Sequence, residues 1–252
     1  MKICVLSSGS KGNCTYIETN KHKILIDIGT NCLYVERTLS KIGIEAASID
    51  SIFITHSHVD HIAGLRVFSK KYNPKIYTTE KIYSEMNLPL QNINYINDDI
   101  ILDDIKINII KTSHDVSSVG YILESNDKSV VYITDTGYIK EKYFKKLYDK
   151  SIYIFESNHD VEKLMNNTKY PHHIKIRILS DEGHLSNKDS AYCLSKFYGP
   201  NTKKIILAHL SEDNNTPQLA LSTLKEEFNK KNIVFDDILI AKQNEHTELI
   251  EI

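Results

Sequence analysis

The stretch THSHVDHIAG, residues 55–64, sets His56, His58, Asp60 and His61 within six positions. Histidine packs poorly in a core and binds metal well, so an H-x-H-x-D-H run reads as a ligand set rather than as ordinary core or surface residues. Its flanks place it. SIFITH, residues 51–56, is apolar and β-branched, as a buried strand is. IAGLRVFSKKY, after His61, spaces Ile62, Leu65 and Phe68 on one helical face. The cluster therefore lies on the loop leaving a strand and at the start of a helix. There His56 and His58 can face one metal while Asp60 and His61 turn toward a second. The mixed nitrogen and oxygen donors suit Zn, Mn or Fe and match Ca or Mg poorly.

Length and charge bound the rest. The chain has 252 residues, enough for one large domain or two small ones, and a formal net charge of −2. The whole molecule thus carries no nucleic-acid signature, and any basic surface must be local. No apolar run approaches the roughly 20 residues that span a bilayer. MKICVLSSGSKGNC at the N-terminus lacks a cleavable export pattern. Cys4, Cys14, Cys32 and Cys193 form no C-x-x-C pair and read as reduced thiols of a cytoplasmic protein.

Short strands alternate with helices along both halves. KICVLSS, CTYIET, HKILIDIG, PKIYTT, INYIN and IKINIIKTSH read as strands of the first half, with a helix at CLYVERTLSKIGI. VGYILES, SVVYITDTG, SIYIFES, KKIILAHL, FDDILIAK and HTELIEI read as strands of the second. Helices there are expected at KEKYFKKLYD, KDSAYCLSKFYG and TPQLALSTLKEEFNKK, the last with Pro217 in its first turn. This α/β pattern suggests two sheets packed face to face with helices outside. His114, Asp135 and His209 each end an apolar run. Any one alone would be ordinary; in series after the H-x-H-x-D-H run they complete a two-metal set. His56, His58 and His114 hold one metal, Asp60, His61 and His209 the other, and Asp135 is free to bridge.

This set resembles the metallo-β-lactamase superfamily, and the resemblance covers essentially the whole chain. LIDIG at 25–29 is similar to its first motif, THSHVDH to its second, and His114, Asp135 and His209 to its third, fourth and fifth. The resemblance implies a four-layer αββα sandwich formed as a single domain, 1–252, with pseudo-two-fold halves of about 1–115 and 116–252. An insertion at about 158–186 would depart from the minimal core. Asp27 would be the buried acid near the site. SSGSKGN, ESNHD, RILSDEGHLSN and LAHLSEDNN further resemble the YycJ/WalJ group. That implies a bacterial, cytoplasmic 5′-to-3′ DNA exonuclease linked to mismatch repair, with DNA as substrate and repair proteins as partners. Its cofactors would be two divalent metal ions, with a hydroxide between them as nucleophile.

Residues beyond the ligands carry two readings each. His184 is a candidate proton donor to a leaving group, or part of a helix entry capped by Ser186 or Asn187. His159 and Asp160 orient a metal histidine from behind, or start a helix before VEKLMNN. Ser8, Ser10 and Asn13 of SGSKGN contact a phosphate, or belong to a plain β-turn. Residues 161–178, with Lys163, Lys169, His172, His173, Lys175 and Arg177, track a DNA backbone, or form a solvated face. Asp60 ligates metal and orients the nucleophile. A small-molecule hydrolase of the same fold is the main alternative. An open basic rim would favour DNA, and a closed apolar pocket a small ligand. Di-iron redox chemistry and a retired binding protein fit less well, since His58 is not a carboxylate and no ligand is missing.

Overall fold

Within the strand Ile152–Glu156, Ile152 and Ile154 join one buried cluster while Tyr153 and Phe155 join another. This period-two alternation makes a sheet covered on both faces. The structure is a computed structural model and describes residues 1–252. Its strands are β1 (Lys2–Ser7), β2 (Cys14–Glu18), β3 (Lys23–Ile26), β4 (Ser51–Phe53), β5 (Lys75–Thr78), β6 (Ile93–Tyr95) and β7 (Ile100–Leu102). They continue as β8 (Ile105–Lys111), β9 (Val119–Ser125), β10 (Lys128–Ile133), β11 (Ile152–Glu156), β12 (Lys204–Ala208), β13 (Ile238–Ile240) and β14 (Ile250–Glu251). One sheet runs β14-β1-β2-β3-β4-β5-β6 and the other β13-β12-β11-β10-β9-β8-β7.

The helices are α1 (Cys32–Lys41), α2 (Val59–Ile62), α3 (Leu65–Tyr72), α4 (Glu80–Met86) and α5 (Phe144–Leu147), then α6 (Val161–Asn166), α7 (His172–Leu179), α8 (Asn187–Phe197) and α9 (Pro217–Lys230). Inner faces of both sheets meet in one cluster, where Ile3 and Ile52 of the first sheet join Ile107, Tyr121 and Ile154 of the second. Val35, Leu39, Leu65, Phe68 and Ile82 of α1, α3 and α4 cover the first sheet's outer face. Leu147, Leu194, Phe197, Leu224 and Phe228 of α5, α8 and α9 cover the second. The αββα layering expected from the motifs is therefore present.

Several local expectations change. The sheets divide between β6 and β7, near residue 99, and β14 returns to the first sheet, so a boundary at 115 falls inside the second. The helix after His61 begins earlier, at Val59, and breaks at Gly64. There a Cβ would lie 2.2 Å from the Thr30 carbonyl oxygen, so glycine lets the two chain segments touch. KEKYFKKLYD forms only a single α turn after a 3-10 turn. Around 158–186 the chain forms two short helices, α6 and α7, and α7 buries no residue.

Parallel pairing positions the site. β3, β4, β5 and β6 run parallel, as do β10, β11, β12 and β13. Such strands all end at one edge, and ligand groups gather there. Asp27 follows β3, His56 follows β4, Asp135 follows β10, Glu156 ends β11 and His209 follows β12.

Candidate metal centre

The β4 loop is fixed before it reaches His56. Phe53 stacks on Tyr77 and meets Tyr121 edge-on, and the Tyr121 hydroxyl donates to Ile54 O at 2.6 Å. Asp27 then organises the turn. Its Oδ1 accepts from Thr55 N–H at 2.8 Å, and its Oδ2 accepts from Thr55 Oγ1 and faces His61 Nδ1, both at 2.7 Å. This fixes the His61 ring and leaves Nε2 for the cleft. Asp27, Asp135 and His209 all have left-handed backbone, with φ of 60°, 56° and 55°. Such conformations persist away from glycine where the surroundings over-determine them, which is common at functional sites.

Two ligand clusters hold the seven candidates, and a third group, Asp135, Glu156, His184 and His209, overlaps the second. His56, His58 and His114 form one, and Asp60, His61, Asp135 and His209 the other, each with its donor atoms within 4.8 Å of one another. Asp135 Oδ2 lies 3.1 Å from His61 Nε2, and its Oδ1 lies 3.5 Å from His209 Nε2. Asp60 Oδ2 stands 3.6 Å from His61 Nε2 and 3.5 Å from His209 Nε2. All seven ligand candidates read from the sequence thus converge. His56 Nε2, Asp135 Oδ2 and His209 Nε2 are buried without a hydrogen-bond partner. Orphaned buried polar atoms are costly, and cations held in the two clusters would satisfy all three.

Charge points the same way. Burial pushes His56 well below the ordinary histidine range. At His61 burial pulls down too, but the carboxylates of Asp135 and Asp27 outweigh it and lift the imidazole to about 10. At His209 Asp135, Asp60 and Glu156 outweigh burial likewise and hold the ring well above its usual value. Asp135, despite burial, is held well below the carboxylate range by His209 and His61. The carboxylate-rich half of the site stabilises added positive charge, and a divalent cation supplies it. These residues fit divalent metal ions.

Two acids not singled out in the sequence complete the frame. Glu156 is fully buried, and its Oε1 meets His184 Nδ1 at 2.7 Å and His209 Nδ1 at 3.1 Å. Asp115 Oδ1 lies 3.2 Å from His58 Nε2, leaving His58 Nδ1 to face His114 Nε2. Glu156 ends the apolar strand SIYIFE, so the strand-end criterion that found Asp135 and His209 finds it too. Asp115 directly follows His114 and carries no periodic signal of its own.

Other expected residues lie elsewhere. Ser8 is buried, and its hydroxyl accepts from His209 N–H at 2.8 Å, so it braces that loop instead of contacting a phosphate. Asn13 is fully buried, with Nδ2 on Asp60 O and 2.9 Å from His61 Nε2, and is likewise internal. Ser10 alone of the SGSKGN residues faces the cleft. Asp160 caps α6 by accepting from Lys163 N–H at 2.8 Å, and so orients no metal histidine. His159 is buried with neither ring nitrogen hydrogen-bonded, and Glu156 takes the orienting place expected of it. Ser186 caps α8. The insertion's cations are committed: Lys163 to Asn215 O, Lys169 to Asp213, Lys175 to Met165 O. Lys175 does not line the cleft, while Arg177 does, paired with Asp115 at 3.4 Å.

The cleft has a volume of about 180 Å³, and Ile178 is the one apolar side chain lining it. Gly29 packs against the ligand loop, where a Cβ would lie 1.6 Å from Asp60 O and 2.5 Å from Asn13 N. Gly29→Ala is therefore expected to destabilise the fold by about 3 kcal/mol or more, as a backbone clash that no rotamer relieves. Urea unfolding checks this, and parental stability would show that the 58–61 loop can move aside.

A double sandwich with histidine and aspartate donors at one strand edge defines a metallo-hydrolase class. The chain belongs to the metallo-β-lactamase superfamily, whose sequence profile matches residues 8–209. It is 37% identical over 233 residues to the exodeoxyribonuclease WalJ of Streptococcus pneumoniae, covering 88% of this chain and 86% of that protein. It is 36% identical over 235 residues to the exodeoxyribonuclease YycJ of Bacillus anthracis, covering 90% and 89%. Among solved structures, the metallo-β-lactamase fold protein YhfI from Bacillus subtilis superposes with a TM-score of 0.71 at 16% identity, over 98% of this chain and 99% of that one. The short form of human tRNase Z superposes with a TM-score of 0.66 at 14% identity, over the full length of both. These two share the fold.

Proposed function

We propose that the protein is a metal-dependent exodeoxyribonuclease. The observation that carries this is the pair of adjoining ligand clusters opening into one polar cleft, in a chain that matches exodeoxyribonucleases along most of its length. His56, His58 and His114 would hold one divalent ion and Asp60, His61 and His209 a second, with Asp135 between them. Zn, Mn and Fe all suit these donors. Such ions supply Lewis acidity toward a phosphodiester and lower the pKa of water.

The chain's own residues do the rest. Asp27, Glu156 and Asp115 hold the rings of His61, His209 and His58 in place. Asp60, held by Asn13, sits where it can orient the attacking water. His184 lines the cleft and gives its Nδ1 to Glu156, which leaves Nε2 for the substrate. Burial pulls its pKa down, and Glu156 outweighs burial and raises it above the ordinary value. A protonated His184 would donate to the departing oxygen. Arg177 and Ser10 would meet the flanking backbone. The 5′-to-3′ polarity, the tie to mismatch repair, repair-protein partners, a cytoplasmic location and a single-domain organisation belong to the same proposal and rest on the family resemblance. No helix is long and apolar enough to cross a membrane.

A polar cleft with one apolar wall residue favours a phosphodiester backbone over a small apolar ligand. The test is metal-stripped protein, repleted with Mn or Zn, on end-labelled duplex DNA. Stepwise shortening from the 5′ end is expected. Intact DNA alongside turnover of a small phosphodiester or thioester would move the protein to the small-molecule hydrolases. In the same assay His184→Ala is expected to lower kcat about 100-fold, the size of a general-acid contribution, with metal content unchanged. Loss of a metal ion in that variant would make His184 a ligand instead.

A further inference from the structure

We propose that a lysine-lined hollow beside the metal centre binds a DNA phosphate close to the one being cleaved. The inference rests on the nuclease reading. The hollow encloses about 320 Å³ where α4 meets the loops that follow β8 and β10. Lys81, Lys111 and Lys140 line it, with Thr79, Asn97 and Ser118 offering further polar groups. No carboxylate lines it. Its three ammonium groups make no ion pair, whereas Lys146 and Lys150 are spent on Asp99 and Glu124. Glu85, at its border, is engaged by the N–H and hydroxyl of Ser117. Three unpaired cations and several hydroxyls around one concavity form a receptor for a phosphate.

Its place in the fold ties it to the metal cleft. β4 and β5 run parallel with Phe53 opposite Tyr77, so Thr79 and Lys81 leave β5 at the edge where Thr55 and His56 leave β4. Thr55 O accepts from Val119 N–H at 2.9 Å, docking the wall of the hollow against the ligand loop. Lys111 precedes the ligand candidate His114 by three residues, which places their Cα atoms within about 11 Å. Successive phosphates of one strand rise about 3.4 Å along a duplex. A strand with one phosphate in the cleft therefore brings its neighbours within reach of the hollow. This also places a local basic surface that the net charge of −2 conceals.

The test is a triple variant, Lys81→Gln, Lys111→Gln and Lys140→Gln, of the metal-loaded protein. Binding of a fluorescein-labelled duplex with non-cleavable phosphorothioate ends is followed by anisotropy across a salt series. The expected result is a Kd raised about 10-fold or more and a salt slope reduced by about 2–3, as for three lost phosphate contacts. Turnover of bis(p-nitrophenyl) phosphate, which cannot reach the hollow, stays at the parental rate. A weakening confined to 5′-phosphorylated ends identifies the terminal phosphate as the occupant, and equal weakening with 5′-hydroxyl ends an internal one. An unchanged Kd and salt slope would overturn the proposal, as would equal loss of the small-substrate activity. Failure of the nuclease reading is separate: the parental protein would then leave DNA intact whatever the lysines do to binding.

Discussion

Asp135→Ala is expected to lower DNA cleavage by on the order of 10³-fold or more, about 4 kcal/mol of barrier, and to cost at least one metal ion per chain. Asp135 is buried at the end of β10 with left-handed backbone, and its two oxygens face His61 and His209. Its negative charge is the leading reason that the pKa values of His209 and His61 are raised despite their burial. Alanine removes a buried carboxylate that faces both His61 and His209, so the site loses an oxygen donor and a negative charge that a cation needs. Asp135→Asn keeps the size and removes the charge, so a similar loss in both variants assigns the effect to charge and not to a cavity. Activity and elemental analysis on the same preparations decide the matter. Full metal content with full turnover would show that the remaining donors suffice, and the two-cluster reading would fall.

The ligand set was legible from the dense H-x-H-x-D-H run and from one rule: a parallel sheet ends every strand at the same edge, so the polar residue that stops an apolar run there belongs to the site. His56, Asp135 and His209 follow that rule. Glu156 follows it as well, but a glutamate at a strand end is common in sequence, and only the fold shows it fully buried between two histidines. Asp115 was hidden for another reason. It acts across 57 residues on His58, and no local period encodes such a contact. The errors are instructive in the same way. Asp160 and Asn13 are short polar residues at turns, and both satisfy neighbouring backbone groups, as such residues do by default. Lys163, Lys169 and Lys175 look like a basic patch in sequence because their partners, Asn215 O, Asp213 and Met165 O, are set by tertiary packing. The unpaired lysines, 81, 111 and 140, are scattered over 60 residues and meet only where β5, β8 and β10 end together.

Glu156→Gln is the sharper test of how the site is held. One carboxylate oxygen serves His184 and His209, and the other accepts from Thr136 N–H at 2.9 Å and Leu185 N–H at 3.3 Å. Four groups thus converge on two acceptor oxygens. A glutamine has one acceptor oxygen and one amide nitrogen, so either orientation sets a donor against donors. The expected cost is about 1–3 kcal/mol of stability, the range for a stranded buried polar group. Turnover is expected to fall about 10–100-fold, with weaker metal binding, because the His209 ring loses its anchor. A pH profile separates this from simple unfolding. Burial lowers the pKa of His184 and Glu156 raises it above the ordinary value, so removing the carboxylate leaves burial in control and the pKa drops. His184 then loses its proton at lower pH. The alkaline limb of the rate profile shifts toward acid, and the deficit grows as pH rises. A variant that loses rate equally at every pH would show that His184 donates no proton, and would leave Glu156 as a support for His209 alone.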